Sequence, residues 1–162
     1  MTTGKTSRHH RDDTGMLEAL GFVETVSVDR DLARVSLKFR PERHHCNNAG
    51  VVQGGFITAW LDCAMSSAVF VKGGRGTTLV SLEIKTAYYA PIYPGTTVMA
   101  QGWIERQGSR TAFLEGRVVD EEGNVLAKTT STASVRTPQA TPGSSSTPPQ
   151  EDVPPCPESS PQ

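Results

Sequence analysis

The sequence is poor in the features that mark several specialised classes of protein. Neither sign of charge dominates: 16 Lys and Arg stand against 17 Asp and Glu in 162 residues, a formal net charge of -1. A protein held to nucleic acid by phosphate contacts needs a basic excess, so a nucleic-acid partner is disfavoured. Cysteine is scarce, with three residues and no CxxC spacing. An odd count without that spacing excludes a disulfide framework and points to a reducing, cytoplasmic setting. Long apolar runs are missing too. The longest, Phe56 to Val71, is too short to span a bilayer and contains Asp62, so no membrane partner is expected. The N-terminus has no apolar stretch of the kind a secretory signal needs, and Asp12 and Asp13 are out of keeping with a transit peptide. No internal repeat is present. The length fits one domain with a modest core.

The residues that are present divide the chain unevenly. From Thr137 to Gln162 lie eight of the 11 prolines, and Ala140, Val153 and Cys156 are the only apolar residues. Such a segment buries too little surface to offset its ordering entropy, which predicts a disordered Pro/Ser-rich tail. Residues 1–14 are polar and are expected to be loose. The folded body is therefore expected over 15–136.

Within that body, Met16 to Leu20 reads as a short helix ending at Gly21. Phe22 to Val28 and Leu32 to Phe39 read as strands around Asp29-Arg30-Asp31, and Pro41 to Val52 reads as a polar loop rich in His and Asn. Gly54 to Val71 is the one long helical candidate, with Phe56, Ile57, Trp60, Leu61, Ala64, Ala68 and Val69 at helical spacing and Lys72-Gly73-Gly74 as a stop. Thr78 to Tyr88 alternates, placing Val80, Leu82, Ile84, Thr86 and Tyr88 on one face and Ser81, Glu83 and Lys85 on the other. Val98 to Arg106, Thr111 to Val119 and Val125 to Arg136 follow, separated by turns at Gln107-Gly108-Ser109 and Glu121-Glu122-Gly123-Asn124. Sequential strands with short turns predict an antiparallel sheet packed on one long helix, an α+β architecture in two layers.

Against that layout, the run Asn47-Asn48-Ala49-Gly50-Val51-Val52-Gln53-Gly54-Gly55, followed by a helix carrying Asp62, resembles the hotdog-fold acyl-CoA thioesterases of the PaaI type, within the 4-hydroxybenzoyl-CoA thioesterase-like superfamily. Val80-Ser81-Leu82-Glu83-Ile84 resembles that family's central strand, and Tyr89-Ala90-Pro91-Ile92-Tyr93-Pro94-Gly95 the turn after it. The resemblance covers Gly15 to Arg136. It implies an antiparallel sheet wrapped around one central helix and hydrolysis of an acyl-CoA thioester. It implies no cofactor beyond the coenzyme A of the substrate. One departure stands out: Gln53 occupies the position where the family usually has His. An amide still donates a hydrogen bond but cannot gain or lose a proton, so only a positioning role remains there.

The candidate residues divide by chemistry. Gly54 and Gly55 open the long helix, where bare N–H groups and the helix dipole favour negative charge, as on the oxygen of an attacked thioester. The resemblance makes the Gly54 N–H the oxyanion donor; a tight turn needing glycine conformations would explain the pair equally. Asp62 is a carboxylate in an apolar helix, which needs a partner or solvent. It suits a general base for water, or a nucleophile forming a mixed anhydride. Thr58, Asp62 and Ser66 recur every four residues as a polar stripe beside small neighbours. Ser81 matches the position of a water-orienting hydroxyl in the family, and Asn47 that of a substrate- or water-orienting amide. An ordinary strand serine and a turn-forming Asn are the structural alternatives. Gly55, Gln53 and Ser66 are candidates for contact with substrate.

Gly54 and Asp62 are eight residues apart, about 12 Å along a helix at ~1.5 Å per residue. One chain cannot bring both to a single carbonyl. By resemblance, Asn47 and Gly54 come from one subunit and Asp62 and Ser81 from its neighbour, which makes the protein a homodimer and implies a dimer of dimers. His44, His45 and Cys46 bring to mind a metal site or a thiol–imidazole pair. A metal would need ligands from a second segment, and neighbours in sequence rarely reach the geometry of a nucleophilic pair, so neither is expected. Arg75, Arg106, Arg110 and Lys128 are candidate cations for coenzyme A phosphates. Two other readings compete with hydrolysis. A dehydratase or hydratase on acyl thioesters would need a catalytic His, and a non-catalytic acyl-CoA binding module would fit Gln53.

Overall fold

The structure, a computed structural model, describes residues 14–137. The expectations for residues 1–13 and 138–162 lie outside these. In chain order the elements are α1 (Thr14–Ala19), β1 (Phe22–Asp29), β2 (Arg34–Phe39), a single 3-10 turn (Arg43–His45), α2 (Gly54–Gly73), β3 (Thr78–Tyr88), β4 (Val98–Gln107), β5 (Thr111–Val119) and β6 (Val125–Arg136). Every strand pair is antiparallel, and the six strands lie in the order β1-β2-β4-β5-β6-β3. The two-layer expectation holds, and α2 touches β2, β3, β4, β5 and β6, so the sheet curls around it. Local pairing alone does not give this order. The chain leaves β2, runs through α2, and places β3 at the far edge, where it pairs with β6.

Two packing features fix α2 on the sheet. The first is apolar burial. Trp60, Leu61, Ala64 and Ala68 meet Val35, Leu37 and Phe39 of β2 and Val98 and Ala100 of β4. Phe39 stacks on Trp60 with ring centroids 5.4 Å apart, and the Trp60 indole N–H donates to the Leu20 carbonyl at 2.8 Å. Met65 and Val69 reach a second cluster with Leu114, Ala133 and Val135. The second feature is close approach. Gly102 and Gly116 face each other across β4 and β5. A Cβ on Gly102 would collide with the Met65 nitrogen and the Ala64 carbonyl carbon. The helix backbone therefore rests on bare sheet backbone, the use of glycine expected where two main chains meet.

Two expectations change. The helix runs 20 residues, to Gly73, and is stopped by Gly74 at φ 72 with its N–H on the Phe70 carbonyl at 2.9 Å. At that length α2 is long and apolar enough to cross a membrane, contrary to the run read from Phe56 to Val71. Its Trp60, Leu61, Ala64, Met65, Ala68 and Val69 are instead spent on the core. The other change is in β3. Ser81 pairs with Ala133 and Glu83 with Thr132, so Leu82 is an extra residue, a β-bulge. Alternation breaks there. Leu79 and Ser81 face the helix before the bulge, and Ile84 and Thr86 face it after, all partly buried. Val80 and Leu82 point outward, 63% and 64% exposed.

Candidate active site

The loop before α2 is built around His45, which is fully buried. Its Nδ1 accepts the Glu42 N–H at 2.7 Å, so Nε2 carries the proton and donates to the Ala19 carbonyl at 2.9 Å. Its ring meets Phe56 edge-on at 4.8 Å. Both nitrogens are committed to tying α1 to the loop, which makes His45 a core residue. His44 stacks on it with centroids 3.9 Å apart and stays exposed. Cys46 pairs with Val52 in an isolated bridge that closes the loop.

Asn47 sits at the start of that closed loop. Its Oδ1 accepts the N–H groups of Ala49 at 2.9 Å and Val51 at 3.3 Å, and its backbone N–H donates to the Val51 carbonyl at 2.8 Å. The turn-forming role is therefore real, and only the Nδ2 side of this exposed amide remains for a ligand. Gln53 caps α2 with extended backbone (φ -64, ψ 134), and its exposed side chain makes no capping bond. The loop is clamped to its neighbours by Val52 N–H on the Ile92 carbonyl and Gln53 N–H on the His45 carbonyl, both 2.9 Å.

Gly54 and Gly55 then begin the helix. Neither has a positive φ, so a special backbone conformation is not what selects glycine here. At Gly54 the reason is steric: a Cβ would stand 2.8 Å from Cζ of Tyr88. At Gly55 it would meet nothing within 4 Å. Among the described residues, neither N–H has an acceptor, as expected for the first turn of a helix. Beside them is an open apolar pocket of about 430 Å³, with Val52, Ile57, Tyr88, Pro91 and Ile92 among its walls.

One turn and more along α2, the polar stripe faces β3. The Ser81 hydroxyl donates to Asp62 Oδ1 at 2.9 Å, and both residues are half-buried. The expected placement of Ser81 on the Glu83 face is thus reversed by the bulge, and the reversal is what brings it to Asp62. Thr58 bonds to Thr86 at 3.1 Å and to the Tyr88 hydroxyl at 2.8 Å. Ser66, half-buried, makes no side-chain hydrogen bond among the described residues. Burial, and then the charge of neighbouring Asp62, push the Cys63 thiol up to about 11, so it is no nucleophile near neutrality.

The groups fall into two sets within one chain. Asn47, Gln53, Gly54 and Gly55 gather at the N-terminus of α2. Asp62 and Ser81 lie farther along it and do not line the pocket beside Gly54. Arg75, Arg106, Arg110 and Lys128 are exposed and do not line it either. A second depression, of about 330 Å³, opens on the outer face of the sheet around Glu83, Glu105 and Glu115. Its carboxylates suit neither a phosphate nor a thioester. Sequence reasoning missed Tyr88. Its signal was a tyrosine at the end of a strand just before Pro91, on the face of Ile84 and Thr86, but its contact with Gly54 has no sequence mark.

Residues 49–127 match the family model described as the thioesterase superfamily. Among solved structures, a single-site variant of the phenylacetic acid degradation protein PaaI from Thermus thermophilus is 27% identical at a TM-score of 0.65, covering 74% of this chain and 97% of that one. PaaI of E. coli is 18% identical at a TM-score of 0.67, over 74% of this chain and 83% of its own. A thioesterase from Haemophilus influenzae is 20% identical at 0.67, over 75% and 82%. The last two share the fold. No curated protein matches the chain.

Proposed function

We propose that this chain, which matches the thioesterase superfamily over residues 49–127 and shares the hotdog fold of PaaI, is a thioester hydrolase that cleaves acyl-CoA to the free acid and coenzyme A. The observation that carries the reading is the Asp62–Ser81 pair: a carboxylate on an apolar helix, held by a hydroxyl donor and open enough to meet a ligand. Water attacks the thioester carbonyl, a C–O bond forms and the C–S bond breaks. Asp62 takes the proton of the water and returns it to the leaving sulfur. Ser81 orients the carboxylate and the water. The Gly54 N–H, with the helix dipole behind it, stabilises the oxyanion. The Nδ2 of Asn47 orients the substrate, while Gly55, Gln53 and Ser66 border it. Gln53 moves no proton. Attack by Asp62 itself, through a mixed anhydride, uses the same groups.

The split between the two sets of groups supports a site shared by two copies. In this reading the Gly54 end of one subunit faces Asp62 of another, and the two β3 edges pair, giving a homodimer that assembles further into a dimer of dimers. The substrate is small, no metal takes part, and the setting is the cytoplasm. A dehydratase loses support because His45 is consumed by the core.

Thiol release from short, long and aromatic acyl-CoAs tests this, with Asp62→Asn beside wild type. The variant should lose about 10²- to 10⁴-fold in kcat while staying dimeric. Undiminished turnover in it would sink the mechanism. Tight, stoichiometric binding without release by wild type would favour a binding module, the reading to which the unprotonatable Gln53 lends weight.

A further inference from the structure

Tyr88 is the last residue of β3 and reaches the start of α2. Its ring occupies the space a side chain at position 54 would need. Its hydroxyl lies 2.9 Å from the Gly54 carbonyl, to which it donates, and 2.8 Å from Thr58 Oγ1.

The direction of these bonds follows from proton counting, since each hydroxyl has one hydrogen. Thr129 gives its proton to the Lys85 carbonyl at 3.0 Å. In the 3.1 Å contact between Thr86 and Thr129, Thr86 must therefore donate. Thr58 then donates to Thr86. Nothing remains for Thr58 to give Tyr88, so the phenol proton points inward, shared between Thr58 Oγ1 and the Gly54 carbonyl. The chain of hydroxyls ends on the backbone of β3 and is buried at Thr129.

The carbonyl it holds belongs to the peptide joining Gly54 to Gly55. These are the two residues with no side chain of their own to hold them, at the point where the N–H groups must be aimed. We propose that Tyr88 is the positioning residue of the oxyanion site: its hydroxyl holds the Gly54–Gly55 peptide, which carries the Gly55 N–H, and its ring packs against Gly54, so that the adjoining Gly54 N–H and the Gly55 N–H are both aimed at the reacting oxygen. This rests on the hydrolytic reading above. The role is orientation, so it acts when charge develops on that oxygen and contributes to kcat more than to binding.

The test compares Tyr88→Phe with Thr58→Val in the full chain. Tyr88→Phe keeps the ring and removes the donor. Its kcat for thiol release should fall about tenfold with KM within about twofold, and the backbone amide signals of Gly54 and Gly55 should move in the NMR spectrum. Thr58→Val breaks the hydroxyl chain but leaves the phenol free to donate to Gly54, so it should lower thermal stability while kcat stays within about twofold. Wild-type kcat in Tyr88→Phe, unmoved Gly55 signals, or equal kcat losses in both variants would overturn the proposal. If wild type hydrolyses no acyl-CoA, the hydrolytic reading fails by itself. The Gly55 signals then still decide whether Tyr88 holds the peptide: movement supports it, and none overturns it.

Discussion

A carboxylate on a helix that is otherwise core must be held by something, and Asp62 is held by Ser81. The cost of that charge is felt one residue on. Cys63 is half-buried, and the Asp62 charge lies beside it. Its thiol is raised from an ordinary 9.0 to about 11, so between those values the unfolded chain releases a proton that the folded chain keeps. The stability this contributes is fully present below pH 9 and is lost as pH rises toward 11. Urea midpoints of wild type should therefore fall more steeply over that window than those of Cys63→Ala. Parallel slopes would show that the thiol is not shielded. At this scale the sequence singled out Asp62, Gly54 and Asn47 as candidates because each sits in a readable pattern: an apolar helix, a helix start, a turn. It also named Ser81 but put it on the wrong face. Tyr88 was placed on the right face, with Ile84 and Thr86, but its proposed role was invisible, because it depends on a contact with Gly54, 34 residues earlier in the chain.

At the scale of elements, both helices and all six strands were legible to within two residues at every boundary, since periodicity and turn residues mark them. What was not legible was contact between backbones. Gly102 reads as an unremarkable strand glycine, yet the structure rests α2 directly on it. A methyl group there has no flexible neighbour to displace, only the main chain of Ala64 and Met65. Gly102→Ala should lower unfolding free energy by about 3 kcal/mol, the upper range for overpacking a core, as read from the urea midpoint. A change under about 0.5 kcal/mol would mean that the helix floats free of the sheet. The bulge makes a sharper test of β3. Deleting Leu82 restores plain alternation and must turn either Ser81 or the Thr86–Tyr88 pair away from α2. Turnover should be lost, and it should not be regained by restoring any side chain without restoring chain length.

For the whole molecule, the order of strands decides what is left uncovered. β1 and β3 are the two free edges. β3 is the longer, at 11 residues, and shows Val80 and Leu82 to solvent. An edge of that length and character is a template for another strand. A lysine blunts such an edge, so Val80→Lys should halve the mass seen by light scattering. It should abolish thiol release even though Asp62, Ser81 and Gly54 are intact. A half-mass species with full turnover would show that the site does not depend on the β3 pairing. The antiparallel sheet was foreseeable from short turns between successive strands. The far placement of β3 was not, because the long connection through α2 hides which strand receives it.

That placement also sets a timetable. A ribosome makes β3 before β4, β5 and β6, but β3 has no strand partner within its own chain until β6, ending at Arg136, has emerged. Ser81 and Tyr88 are thus assembled against α2 only when the final strand arrives, and a chain broken off before Val125 carries every proposed reacting group with nothing to hold half of them. The proposed site is complete only once β6 has joined the sheet, so fragments ending before Val125 should be inactive however well their helices form.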